Sequence, residues 1–190
     1  MSNQPNLYII AGCNGAGKTT ASFVVLPELL GCREFINADE IAKGISPFNP
    51  ESVAITSGKI MLERIHFLLE EEVDFGFETT LSSKGLVEII TKAKQFNYRI
   101  CIVVFWLNTV QLALDRVAER VSEGGHNISN ETITRRYARG IRNFKNTYQE
   151  LVNSWLIIDN SNTHFEIISK FNDGQLTIYN ENLFQAFKNQ

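Results

Sequence analysis

Eight consecutive residues, Gly12-Cys13-Asn14-Gly15-Ala16-Gly17-Lys18-Thr19, follow the pattern G-x-x-x-x-G-K-T and directly succeed the apolar run Leu7-Tyr8-Ile9-Ile10-Ala11. An apolar strand, a glycine-rich loop and then helix-forming sequence make a phosphate-binding loop. Its glycines let the backbone curl so that successive N–H groups face phosphate oxygens, and the positive end of the next helix adds to the attraction. Gly12, Asn14, Gly15, Ala16 and Gly17 are candidates for cradling the phosphates of a nucleotide. Lys18 is placed to reach the β- and γ-phosphates, and the Thr19 hydroxyl to meet a Mg²⁺ ion.

Two carboxylates follow. Asp39 lies just past the short apolar stretch Phe35-Ile36. There it is a candidate to accept the proton of a substrate hydroxyl attacking a γ-phosphate, or to orient that hydroxyl. The same residue suits the N-cap of a helix opening with Glu40-Ile41-Ala42, and the two roles are compatible. Glu78 closes the run Phe75-Gly76-Phe77 and precedes Thr79 and Thr80, whose hydroxyls suit a polar ligand. A carboxylate at the end of a central strand is costly to desolvate unless something meets it. Its candidate partners are Mg²⁺ through water, the substrate, an arginine, or a purely structural ion pair.

Arginines supply the third feature. A helix over 109–122 presents Val110, Leu114, Val117 and Val121 as an apolar stripe, with Arg116 and Arg120 on a neighbouring face. The next helical stretch, 130–153, has a core stripe of Ile133, Tyr137, Ile141, Phe144, Tyr148 and Leu151. Arg135, Arg139 and Arg142 then lie opposite, with Arg136 to one side, and Arg139, Arg142 and Lys145 read most simply as a solvated face. In an acidic chain this local basic excess invites an anion. Guanidinium groups over a transferring phosphoryl group are worth ~10³ or more in rate. Between the two helices, Gly124-Gly125-His126 suggests a short lid near 122–136, with His126 as either a phosphate contact or a local turn-former.

The elements that must position these groups follow from hydrophobic pattern. Strands are expected at 7–11, 34–37, 75–78, 100–107 and 155–158, with helices near 19–30, 51–72, 83–96, 109–122 and 130–153. This alternation predicts an α/β three-layer sandwich, a mostly parallel sheet of about five strands with helices on both faces. Asn172-Asp173-Gly174 between the β-rich runs 164–171 and 175–179 reads as an edge hairpin. In such a sheet the phosphate loop, Asn37 with Asp39, Glu78-Thr79-Thr80 and Asp159-Asn160-Ser161 all fall at the carboxyl ends of strands, where ligands bind.

Composition narrows the rest. The 190 residues suit one domain, 1–190, and 44% hydrophobic with 21% charged residues is globular. A net charge of −3 argues against nonspecific binding of nucleic acid. Cys13, Cys32 and Cys101 form no spaced pair and suit a reducing compartment, and Cys13 reads as a small residue tolerated in a tight turn. No apolar run approaches the ~20 residues of a membrane helix, so the expectation is a cytoplasmic protein.

Taken together, the segments Ala11 to Thr20, Asn37-Ala38-Asp39-Glu40-Ile41-Ala42, Phe77-Glu78-Thr79-Thr80-Leu81, Arg116 to Val121 with Gly124-Gly125-His126, Arg135-Arg136-Tyr137 and Asp159-Asn160-Ser161 resemble the zeta-toxin-like P-loop kinases over about residues 7 to 161. The resemblance implies ATP-dependent phosphorylation of a sugar nucleotide, UDP-N-acetylglucosamine in the better-known toxins, at its sugar 3′-hydroxyl. By position it implies Lys18, Thr19 and Thr20 on phosphate and Mg²⁺, Asp39 as base, and Glu78 and Thr80 on substrate. It further implies Arg120 and Arg136 as the phosphoryl clamp, with Arg116 or Arg135 as substitutes, and Asp159 near the adenine. An antitoxin-like protein partner belongs to the same expectation. The chain is shorter than those toxins. The competing expectations are a kinase of another small hydroxylated substrate, or a nucleotide-regulated ATPase switch or binding protein.

Overall fold

The structure, a computed structural model, describes residues 4–125 and 127–190. Five strands run parallel: β1 (Asn6–Gly12), β2 (Glu34–Ile36), β3 (Phe75–Thr79), β4 (Arg99–Trp106) and β5 (Ser154–Asp159). Two antiparallel strands, β6 (Glu166–Asn172) and β7 (Gln175–Ile178), extend the same sheet. The expected five strands and edge hairpin therefore form one seven-stranded sheet, ordered β2-β3-β1-β4-β5-β6-β7. The hairpin turns through Asp173 and Gly174, both at positive φ (46° and 89°), the conformation that a two-residue turn needs to match strand twist.

The helices are α1 (Lys18–Val24), which widens into one further turn over Val25–Leu29, α2 (Ala38–Ile45), α3 (Ala54–Glu70), α4 (Leu86–Gln95), α5 (Val110–Ser122), α6 (Asn130–Asn146) and α7 (Glu181–Lys188). Because both faces of the parallel strands are covered, their side chains alternate between two apolar layers rather than between core and water. Leu7, Ile9, Phe75, Phe77, Ile100 and Ile102 pack with α3, α4, α6 and α7. Ile10, Val103, Phe105 and Ile158 face Ala16, Leu26, Ala113 and Val117 of the phosphate loop, the wide turn after α1, and α5.

Two boundaries differ from the sequence reading. The stretch 130–153 is not one helix: α6 ends at Asn146, Thr147 leaves helical geometry at φ −139°, and a single tighter turn, Tyr148–Glu150, follows. Asn and Thr hold a helix poorly, and the break lets the buried Tyr148 hydroxyl donate to the Ser83 carbonyl. The second is α7, which no expectation included. It is short, but Asn180 caps it and Phe184 and Phe187 bury themselves against the sheet layer.

Candidate functional site

The strand–loop–helix unit forms as its sequence dictates. Gly17 caps α1 in the left-handed region (φ +80°), and any side chain there would collide with the Asn160 amide nitrogen, 2.5 Å from the position of a Cβ. That amide donates to the Ala16 carbonyl at 2.9 Å, so the turn after β5 braces the phosphate loop. Asn14 is buried and accepts from Arg136 Nη1 at 3.3 Å. Arg136, on α6, thus reaches the loop from the helix expected to carry it.

Lys18 is buried. Its Nζ donates to the Cys13 carbonyl at 2.9 Å and pairs with Glu78 Oε1 at 3.2 Å. The other Glu78 oxygen accepts from Thr19 Oγ1 at 2.7 Å and Asn37 Nδ2 at 2.8 Å. The partners that a strand-end carboxylate requires are therefore the loop's own lysine and threonine, together with Asn37. Asn37 faces both ways: its Oδ1 accepts from the N–H groups of Asp39 (2.8 Å) and Glu40 (3.4 Å).

The N-cap of α2 is accordingly Asn37, and the expectation that Asp39 caps this helix is corrected. Asn37 is extended (φ −135°), which folds its side chain over the N–H groups two and three positions ahead, whereas Asp39 already has helical geometry. Freed from capping, the exposed Asp39 lines a cleft of about 330 Å³ together with Lys18, Thr19, Thr20, Glu78 and Arg120. Gly15 and Gly17 line it as well.

Other candidates sit elsewhere. Thr80 shares a hydrogen bond with Ser82 (2.9 Å) and lines a narrow crevice beside Gly12, Cys13 and Tyr137, on the α6 side of the loop. Asp159 is buried, and its carboxylate accepts from the backbone N–H (2.9 Å) and hydroxyl of Ser161, which fixes the turn carrying Asn160. Arg116 lines the cleft while donating to the carbonyls of Asn160 (2.8 Å) and Ser161 (3.3 Å), so it clasps that turn from α5. Arg135, Arg139 and Arg142 are exposed. His126 lies outside the described residues. Gly124 (φ +87°) and Gly125 close the C-terminal end of α5, their N–H groups donating to Val121 and Arg120 carbonyls. Burial pushes the Cys13 thiol up to about 11, against the pull of Lys18, which keeps it protonated and inert at neutral pH.

Three residues hold the site together: Asn37 and Asn160, which the sequence reading placed at the binding edge without a role of their own, and Gly140, which it did not single out. The signal for Asn37 was present, an asparagine directly before Ala38-Asp39-Glu40. Asn160 gave none beyond its place after β5. Gly140, inside α6, stands where a Cβ would meet the Thr80 carbonyl oxygen at 2.5 Å. Its absence of a side chain lets α6, and with it Arg136, seat on the turn after β3, where Asn143 also donates to the Leu81 carbonyl at 2.8 Å.

A family model described as Zeta toxin matches residues 1–183. An uncharacterized protein of Haemophilus influenzae is 29% identical over 137 residues, 72% of this chain and 94% of that protein. Among solved structures, a chain of the AvrRxo1-ORF1:-ORF2 complex with ATP superposes with a TM-score of 0.77 at 15% identity, covering 98% of this chain and 64% of that one. The chain thus spans just under two thirds of that protein. A chain of the PezAT chromosomal toxin-antitoxin system of Streptococcus pneumoniae gives 0.69 at 15% identity, covering 99% and 86%. A putative kinase from Chloroflexus aurantiacus gives 0.55 at 15% identity, covering 67% and 72%. At these identities the structural likeness is one of fold.

Proposed function

The chain belongs to the zeta toxin family, a kinase-like, nucleotide-dependent group, and on that premise we propose that it transfers the γ-phosphate of ATP to a hydroxyl of a UDP-activated sugar such as UDP-N-acetylglucosamine. The observation that carries this reading is the position of Asp39, an exposed carboxylate lining the same cleft as Lys18 and Thr19. Lys18 and the N–H groups of the loop hold the phosphates. The acceptor oxygen attacks the γ-phosphorus, the bond to the bridging oxygen breaks, ADP leaves, and the hydroxyl proton passes to Asp39. Arg120 and Arg136 offset the charge spread over the transferring group.

Glu78 and Thr80 are assigned to the acceptor, and the Asp159 turn to the adenine. The residues fit Mg²⁺: the Thr19 hydroxyl and the Glu78 carboxylate are hard oxygen donors 2.7 Å apart, the type that this ion takes together with water and phosphate. When bound, the ion would offset phosphate charge during transfer. The segment 122–136 acts as the lid, and an antitoxin-like protein partner is part of the proposal, supported by the likeness to a toxin-antitoxin chain. Among the described residues no helix is long and apolar enough to cross a membrane.

The test is incubation with Mg-ATP and a panel of UDP-sugars, nucleosides and simple sugars, followed by phosphorus NMR. A new phosphomonoester from a UDP-sugar supports the proposal. ATP turnover stimulated by a protein and by no hydroxyl compound would replace it with a nucleotide-regulated switch.

A further inference from the structure

Parallel strands are found almost only in sheets with both faces covered. Toward the carboxyl ends of β1, β4 and β5, the face that carries α1 meets the phosphate loop and α5. Toward their amino ends the same face opens into a cavity of about 560 Å³, which shares no lining residue with the phosphate cleft. Tyr8, Cys101 and Leu156 form its floor and stay partly exposed. Val25 and Leu30, at the two ends of the wide turn after α1, wall one side, and Phe165 and Tyr179, flanking the hairpin, wall the other. These last two rings are 66% and 61% exposed, so floor and rim make one apolar surface of a size that takes a small molecule.

The lining is chemically one-sided. Among the described residues its one charged side chain is Lys170, on β6, and no acidic group faces the cavity. Strand register sets Lys170 beside Leu156 on this face. Burial raises the Cys101 thiol, and the Lys170 ammonium is among the groups that oppose the rise, which places the charge over the floor. Lys170 makes no ion pair among the described residues. The Ser22 hydroxyl in the wall is already taken by the Lys18 carbonyl. From β6 to β1 the floor crosses three strand spacings, ~14 Å, with the cation at one end. A purely apolar molecule would leave that ammonium without a partner, and a small polar anion would gain nothing from the floor.

We propose that this cavity is a second ligand site, for a single-chain amphiphile with a carboxylate head. Lys170 binds the carboxylate, and the alkyl chain lies across β5 and β4 toward Val25 and Leu30, supplying the cover that this part of the sheet lacks. The site stands apart from the phosphate cleft and does not depend on the kinase reading.

The test uses the full chain and three probes below their micelle-forming concentrations: dodecanoate, dodecyltrimethylammonium with the same tail, and butyrate with the same head. Calorimetry at several temperatures should show dodecanoate binding with a negative heat-capacity change, the mark of apolar burial, and no binding of butyrate. Dodecyltrimethylammonium should bind about 5-fold more weakly or worse. Lys170→Met, at an exposed position that the fold does not need, should weaken dodecanoate about 3–10-fold, between the scales of an exposed and a desolvated ion contact, and erase the preference between the two heads. Leu156→Trp fills the floor and should abolish binding, with a thermal melt to confirm folding; if that variant does not fold, Lys170→Met decides. No uptake of dodecanoate by the wild type, or equal affinity for the two heads, overturns the proposal. Self-association in sedimentation that Leu156→Trp abolishes and dodecanoate does not would give the face to a second copy instead. Association with phosphatidylglycerol vesicles without uptake of free dodecanoate would give it to a membrane surface.

Discussion

Glu78 joins both chemical ends of the phosphate loop, since one carboxylate bonds the Lys18 ammonium and the Thr19 hydroxyl. The pair is largely buried, with side-chain exposures of 5% and 11%, so removing one partner strands the other. Glu78→Ala should destabilise the fold by about 2–4 kcal/mol, toward the range for broken buried pairs and reduced by the Cys13 carbonyl that still receives Lys18. Urea unfolding measures this. Saturating ATP, which brings Lys18 a new anion, should restore more stability to the variant than to the wild type. Asp39 makes the contrasting prediction, because it is exposed and stabilises little. Asp39→Asn should lower kcat for acceptor phosphorylation by about 10²–10⁴, the scale of general base catalysis, with ATP affinity within a few-fold. Loss of ATP binding in that variant would remove the assigned role.

The elements decide whether those residues meet. Asn37 ties the first turn of α2 to Glu78 at the end of β3, so the helix bearing Asp39 is keyed to the strand end and not merely adjacent to it. On the other flank α6 is keyed by Gly140. Gly140→Ala puts a methyl group against the Thr80 carbonyl oxygen at 2.5 Å and should cost about 1–3 kcal/mol, as overpacking does, while drawing Arg136 away from Asn14. The matched control is Gly58→Ala in α3, where nothing lies within 4 Å and helix propensity alone predicts a gain of about 0.5–1 kcal/mol. Thermal melts of the two variants should therefore shift in opposite directions. Equal losses would mean that the close approach of α6 is not what Gly140 provides.

Across the whole molecule, several weak acids lie wholly or partly out of water. Burial raises the Cys13 and Cys32 thiols from 9.0 to about 11, and the Tyr98 and Tyr137 phenols from 10.0 to about 12. Each stays protonated in the folded chain at pH values where the unfolded chain has released its proton. Stability is therefore complete below about pH 9 and falls as pH rises toward 11 and 12. Urea midpoints at pH 8 and pH 10.5 check the sign: a higher midpoint at pH 10.5 would mean that folding does not withdraw these groups from water.

What could be read from residues alone was what neighbouring residues settle among themselves. The apolar run before Gly12, the spacing of Gly17-Lys18-Thr19, the two-layer strand pattern and Asp173-Gly174 each act over a few positions, and the strands, the loop and the hairpin follow from them. The break after Asn146 and the short α7 escaped because tertiary burial of Tyr148, Phe184 and Phe187 decides them. The tertiary structure alone paired Thr19 with a carboxylate 59 positions away, and set Asn160 against a loop carbonyl 144 positions away. It also gave the capping of α2 to Asn37, leaving Asp39 on the cleft. Residue type states that a buried carboxylate or amide needs a partner. Only the assembled sheet, which brings the strand ends within hydrogen-bond reach, selects which partner it is.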